Sequence, residues 1–140
     1  MKNLYLELRQ KHQDEMNSFP IFFAFSQSQF KKGMEKLGLS EDDTDKIYSL
    51  GGGGYYRRTD AEALREMFER HEKERKENLS NEQYAYEMFL YELSNHEYCI
   101  TFDLDETLDA CDITLNMLND NEMLAEALRR AEKDYLASCC

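Results

Sequence analysis

No lysine or arginine stands between Glu77 and Leu128, a run of 52 positions that holds 13 carboxylates. Average composition would place about six basic residues in such a window. Charge this one-sided governs partners, solubility and steering rather than fold. It argues against direct nucleic-acid binding and points to a basic protein surface, such as the groove of a nucleic-acid enzyme. Long apolar runs are also missing. Nothing approaches the roughly 18 consecutive apolar residues of a membrane span, and Met1 to Gln10 lacks the apolar core of a signal peptide. A cytoplasmic protein is the expectation. Cysteine pairs of the CxxC type and the HExxH spacing of zinc proteases are absent. Of the four cysteines, Cys99 and Cys111 therefore read as reduced, small apolar core residues, and the adjacent Cys139 and Cys140 as an end prone to oxidation. Proline occurs once, at Pro20, and ends any helix before it.

What is present is enough apolar material for a core. The chain has 140 residues, 41% of them hydrophobic and 12% aromatic, with a net charge of -12. That is too apolar for a disordered acidic tail, and its length suits one domain. The acidity is uneven, at +2 over residues 1–40, -3 over 41–79 and -11 over 80–140.

Periodicity gives the elements. Leu4, Leu8, His12 and Met16 predict a helix over 2–17. Ile21 to Phe25, five consecutive apolar residues after Pro20, predict a buried strand. Ser26 with Gln29 forms a capping box for a helix that buries Phe30, Met34 and Leu37 and stops at Gly38. Ile47–Leu50 and Tyr55–Arg58 flank four glycines and predict a hairpin. Thr59 and Glu62 suggest a second capping box, opening a helix with Leu64, Met67, Phe68 and His71 on one face. Ser80 or Asn81 caps a helix carrying Tyr84, Met88, Phe89, Tyr91 and Leu93, with Tyr86 on another side. Tyr98–Phe102 reads as a strand, Leu104 and Leu108 as a short helix. Leu124, Ala127, Leu128, Ala131 and Tyr135 form the stripe of a last helix. The expectation is a compact α+β domain over residues 1–138, with five or six helices around a small antiparallel sheet containing the Gly-rich hairpin. Cys139 and Cys140 would form a frayed tail.

Several motifs bear on chemistry. Ile100-Thr101-Phe102-Asp103-Leu104-Asp105-Glu106-Thr107 resembles the first motif of haloacid-dehalogenase-type phosphatases. That resemblance implies Asp103 as nucleophile, Asp105 as general acid/base and Mg2+ nearby. The motif normally opens its fold, whereas here 32 residues follow Leu108, too few for the remaining parallel strands. The competing reading is a helix cap, Asp103 with Glu106 three residues on. Gly51, Gly52, Gly53 and Gly54 could let backbone N–H groups approach an anion. Tyr55, Tyr56, Arg57 and Arg58 follow in place of the Lys-Ser or Lys-Thr of a nucleotide loop. These eight residues make an alternative ligand- or partner-binding site. Glu92, His96 and Cys99 could in principle meet a metal, but a helix-end histidine is the simpler reading. Asp103, Asp105 and Thr107 start a calcium-loop pattern that fails at Leu108 and Thr114. No metal and no cofactor is expected.

The segments Asn17-Ser18-Phe19-Pro20-Ile21-Phe22-Phe23-Ala24-Phe25, Ile47-Tyr48-Ser49-Leu50 with its four glycines, and Tyr91-Glu92-Leu93-Ser94-Asn95-His96-Glu97-Tyr98-Cys99 are similar to a family of small acidic proteins from bacterial plasmids, conjugative elements and prophages. The resemblance implies a context, not an activity. Mobile elements carry small proteins that blunt host defence, anti-CRISPR and anti-restriction inhibitors among them. The expected function is a non-enzymatic interaction module that presents carboxylates where a nuclease would hold phosphates. The candidate contacts are Glu82, Glu87, Glu92, Glu97, Asp103, Asp105, Glu106, Asp109 and Asp112.

Overall fold

The computed structural model describes residues 3–139; Met1, Lys2 and Cys140 lie outside the described residues. The fold is α+β, with eight α-helices and one three-stranded antiparallel sheet among the described residues. In chain order the elements are α1 (Leu4–Ser18), β1 (Ile21–Phe23), α2 (Gln27–Lys36), β2 (Ile47–Gly51), β3 (Gly54–Arg57), α3 (Ala61–Asn78) and α4 (Glu82–Asn95). Then come α5 (Tyr98–Thr101), α6 (Asp105–Ala110), α7 (Leu115–Asp120) and α8 (Glu122–Cys139). The chain divides into two compact units, Lys11–Glu72 and Met1–Gln10 with Lys73–Cys140.

The unit Lys11–Glu72 is built on the sheet, in the order β1-β3-β2. Ile21, Phe22 and Phe23 pair with Tyr56, Tyr55 and Gly54, and Ile47, Tyr48 and Ser49 pair with Arg57, Tyr56 and Tyr55. One face buries Phe22, Met34, Leu37 and Ile47, with Phe30 and Tyr55 against them. The Phe22 ring lies stacked on Tyr55 (centroids 5.4 Å) and edge-on to Phe30 (5.8 Å). Gly33 of α2 faces that ring: a Cβ there would stand 2.1 Å from it. The cap of α2 is as expected. Ser26 Oγ accepts the Gln29 N–H at 3.3 Å, and Gln29 Oε1 in turn accepts the N–H of Phe25. Its end is a Schellman turn, with the Leu39 N–H on the Met34 carbonyl and Gly38 at φ +77°.

Three expectations fail in this unit. The strand after Pro20 is not a buried five-residue strand. It is an edge strand of three residues in which only Phe22 is buried, while Phe23 and Phe25 are exposed. A strand at a sheet edge with one covered face hides alternate residues, not consecutive ones. Thr59 caps nothing, because it lies inside a 3-10 turn, Arg58–Asp60, that runs straight into α3. Phe68 is exposed, while Leu64, Met67 and His71 are buried as expected.

The unit Met1–Gln10 with Lys73–Cys140 is helical. α4 and α8 form its centre, burying Tyr84, Ala85, Met88, Phe89 and Leu93 with Leu124, Ala127, Leu128, Ala131 and Tyr135. The stripe expected for α8 is fully buried. Asn81, not Ser80, is the cap of α4: its Oδ1 accepts the Tyr84 N–H at 3.1 Å. Tyr5 of α1 joins this core edge-on to Tyr84. Tyr86 is half-buried: it donates to Asp134 at 2.6 Å beneath Arg130, and so does not stand free on the surface. Cys111 is buried and Cys99 half-buried, neither in a disulfide; Cys139 is the last residue of α8.

The strand expected at Tyr98–Phe102 is a single helical turn, α5. A short apolar run fits strand and buried helix equally by pattern. The backbone decides it here, because Glu97 (φ 52°) and Phe102 (φ 53°) adopt left-handed conformations that close the turn at both ends. Only Tyr98 of that run is buried; Ile100 and Phe102 are 71% and 64% exposed. α7 had no counterpart in the expected elements. No helix among the described residues is long and apolar enough to cross a membrane.

Candidate functional site: an acidic lobe with an apolar centre

The nine expected carboxylates do not share one exposed stretch. Glu87 and Glu92 point into the helical unit and cannot meet a partner. Glu92 is 3% exposed. It accepts the Tyr5 hydroxyl at 2.8 Å and lies 3.2 Å from His96 Nε2 and 3.5 Å from Arg9. Burial, then the hydrogen bond to Glu92, pushes the Tyr5 phenol well above its usual range. Glu87 accepts the Leu4 N–H at 3.3 Å, and so anchors the positive end of α1. Both are holding residues for α1. The sequence did carry a signal for Glu92: it lies four residues beyond Met88 and eight beyond Tyr84, on the buried stripe of α4.

Glu82 is exposed but stands apart. It opens α4, about 20 Å along the helix from its last residue at 1.5 Å per residue. There it pairs with Arg130 at 2.9 Å and lines a shallow groove with Leu118, Glu122, Met123 and Glu126.

The remaining six, Glu97, Asp103, Asp105, Glu106, Asp109 and Asp112, are all exposed and lie within one 16-residue stretch. The local fold explains why they face outward. α6 buries Thr107 and Leu108, which turns Asp105 and Asp109 to the same outer face one helical turn apart. Thr107 donates to the Glu92 carbonyl at 3.4 Å, fixing α6 to α4. Asp112 ends α6 in a Schellman turn at φ 56°, a position usually given to glycine. The three non-glycine residues at positive φ among the described residues are Glu97, Phe102 and Asp112, all in this stretch. Such backbone costs about 1–3 kcal/mol per residue and concentrates at functional sites. Ile100 and Phe102, exposed large apolar residues, lie in the same stretch of sequence, with the Phe102 ring edge-on to buried Tyr98 at 5.9 Å. Sequence reasoning missed this pair as surface because it read them as a buried strand.

The phosphatase motif does not find its setting. Asp103 follows a helical turn, not a strand, and its Oδ1 accepts the Asp105 N–H at 2.8 Å. Glu106 does not complete a capping box; its carboxylate lies 3.6 Å from His96 Nδ1. Thr107 is buried and turned to α4. His96 is the C-cap of α4, as the simpler reading had it.

The glycine loop is likewise committed to its own unit. Gly51, Gly52 and Gly53 have φ of 88°, 58° and 84°, which only glycine adopts without strain. The Phe25 ring lies over Gly53 and the Phe23 ring over Gly54; an added Cβ would come within 2.6 and 2.9 Å of them. Arg57 donates to Asp60 at 2.7 Å and to the Leu37 carbonyl at 3.2 Å. Arg58 donates to the Ile47 carbonyl and lies 4.6 Å over the Tyr48 ring. Tyr55 packs in the core and Tyr56 leans on Tyr48. Gly53, Gly54, Arg57 and Arg58 thus serve the packing of the hairpin, while Gly51 and Gly52 stand exposed at its tip.

A family model matches residues 4–134, nearly all of the chain. The chain belongs to DUF7659, a family of unknown function. The matched span takes in both units and the whole acidic lobe, so the lobe is part of the family's domain and not an appendage to it. No curated protein and no solved structure matches the chain.

Proposed function

We propose that this chain is a non-enzymatic interaction module that acts in the cytoplasm and docks its acidic lobe, residues 97–112, on the basic surface of a partner protein. The finer reading is inhibition of a host-defence nuclease, of the anti-CRISPR or anti-restriction kind, with carboxylates occupying sites where phosphates would lie. One observation carries the proposal: six exposed carboxylates and no basic residue in a 16-residue stretch that also holds every non-glycine left-handed residue described. Opposed charge speeds encounter and selects partners, and it weakens with salt. The similarity of three segments to small proteins of mobile elements supplies the context for the nuclease reading.

Co-purification of tagged protein from native host lysate, eluted by salt and read by mass spectrometry, tests it. The expected result is a dominant basic nucleic-acid enzyme, lost with the variant Asp103→Lys, Asp105→Lys, Asp109→Lys. Retention of the same partner by that variant, with its melting curve unchanged, would overturn the proposal.

A further inference from the structure

The lobe is more than a charged surface. Ile100 and Phe102 leave most of their side chains in water while Tyr98, in the same turn, is buried against Tyr135. A helical turn that satisfied only the core needs one apolar residue there, and polar side chains at the other two would be more soluble. The left-handed residues at both ends, Glu97 and Phe102, close the turn and leave Ile100 and Phe102 turned to solvent. Hot spots of interfaces are built this way, from a few apolar anchors within a polar rim.

We propose that Ile100 and Phe102 are the apolar anchor of the docking surface, and that the occupant is a cationic amphipathic segment of a partner protein, with apolar side chains flanked by Lys or Arg. The inference rests on the acidic-lobe reading and deepens it. Charge complementarity selects the occupant. Glu97, Asp103, Asp105 and Glu106 flank the pair in sequence, with no cation in the stretch. A nucleic acid or an anionic bilayer would be repelled by that rim. A neutral apolar surface would leave the carboxylates to be desolvated without partners. A segment carrying both apolar and cationic side chains meets both demands. The anchor also separates this surface from a phosphate mimic made of charge alone, whose affinity would vanish at high salt. Burial of Ile100 and Phe102 is insensitive to salt and sets a floor under the affinity.

Two peptide probes of equal positive charge test this: a leucine–lysine amphipathic helix and an oligolysine. Binding to the whole chain is measured by titration at low and high salt, with backbone amide shifts to locate the contact. The expected result is roughly tenfold tighter binding of the amphipathic peptide, as burial of two large apolar side chains allows. Shifts should centre on residues 97–106, and the preference should persist in high salt. Ile100→Ser with Phe102→Ser should bring the two peptides within about twofold of each other and leave oligolysine binding unchanged. Both side chains are exposed, so the fold tolerates the change. Equal binding of both peptides to the wild type would overturn the anchor while leaving the acidic lobe intact. So would an amphipathic preference that survives the double substitution. Failure of both peptides to bind at low salt would overturn the acidic-lobe reading along with it.

Discussion

Glu92→Ala is the sharpest test of the division between buried and exposed carboxylates. Glu92 belongs to the same acidic series as Glu97 and Asp105, but it is buried and accepts the Tyr5 hydroxyl at 2.8 Å. Removing it leaves that hydroxyl without its partner inside the helical unit. Hydrogen bonds to a charged group contribute about 1.5–3 kcal/mol. Breaking a buried ion pair costs about 3–5 kcal/mol. Arg9 is half exposed and regains water, so its share is small. His96 is more buried and loses a neighbour at 3.2 Å. The expected loss is therefore about 3 kcal/mol, at the lower end of the buried-pair range. With a urea slope of about 2 kcal/mol/M, the midpoint should fall by about 1.5 M. Glu92→Gln keeps an acceptor for Tyr5 and should recover about half of that. Glu97→Ala and Asp105→Ala, both exposed, should each stay within about 0.5 kcal/mol of the wild type. A urea midpoint for Glu92→Ala indistinguishable from that of Glu97→Ala would mean that Glu92 contributes nothing to holding the helical unit.

Other substitutions and titrations probe the rest. Gly33→Ala should gain about 1 kcal/mol of helix propensity and lose more to the Phe22 ring, for a net loss of about 1–2 kcal/mol. A higher melting temperature would show that the ring can move. Arg70, hydrogen-bonded to Glu15, with His71 second, holds that carboxyl at about 2, below its ordinary 4.5. A depressed carboxyl stabilises the fold above its ordinary value and loses that contribution as pH falls toward 2. NMR titration should find the Glu15 midpoint near 2, and Arg70→Ala should move it up; no movement would contradict the assignment. Burial, then Glu92, pushes the Cys111 thiol up to about 12. Alkylation at pH 8 with peptide mapping should modify Cys139 in the folded protein and Cys111 only after denaturation. Rapid labelling of native Cys111 would mean that the core opens readily.

The parts of this fold that were legible in the sequence are those where local chemistry is decisive. Ser26, Gln29 and Gly38 delimit α2, and the stripe from Leu124 to Tyr135 delimits α8, because caps and periodicity leave few alternatives. The hairpin followed from four glycines between two short apolar runs. The turn at Tyr98–Thr101 was not legible. Its five-residue apolar pattern suits a strand, and nothing local announces left-handed backbone at Glu97 and Phe102, which is held by packing of Tyr98 against Tyr135. The same limit applied to the carboxylates. Charge counting cannot tell Glu92, buried by α1 packing on α4, from Glu97, five residues later and exposed. The arginines after the glycine loop show the same limit: in sequence Arg57 and Arg58 have no evident partners, and Leu37, Asp60 and Ile47 come to them only when the sheet forms.

The proposed docking of residues 97–112 on a basic partner is open to direct measurement. Its most direct measurement is the affinity for the captured partner across a salt series, for the wild type and for Asp103→Lys, Asp105→Lys, Asp109→Lys. Wild-type affinity should fall steeply with salt, and the reversed variant should bind weakly at low salt with little or inverted salt dependence. Equal affinities with parallel salt curves would contradict it and move the contact elsewhere on the chain.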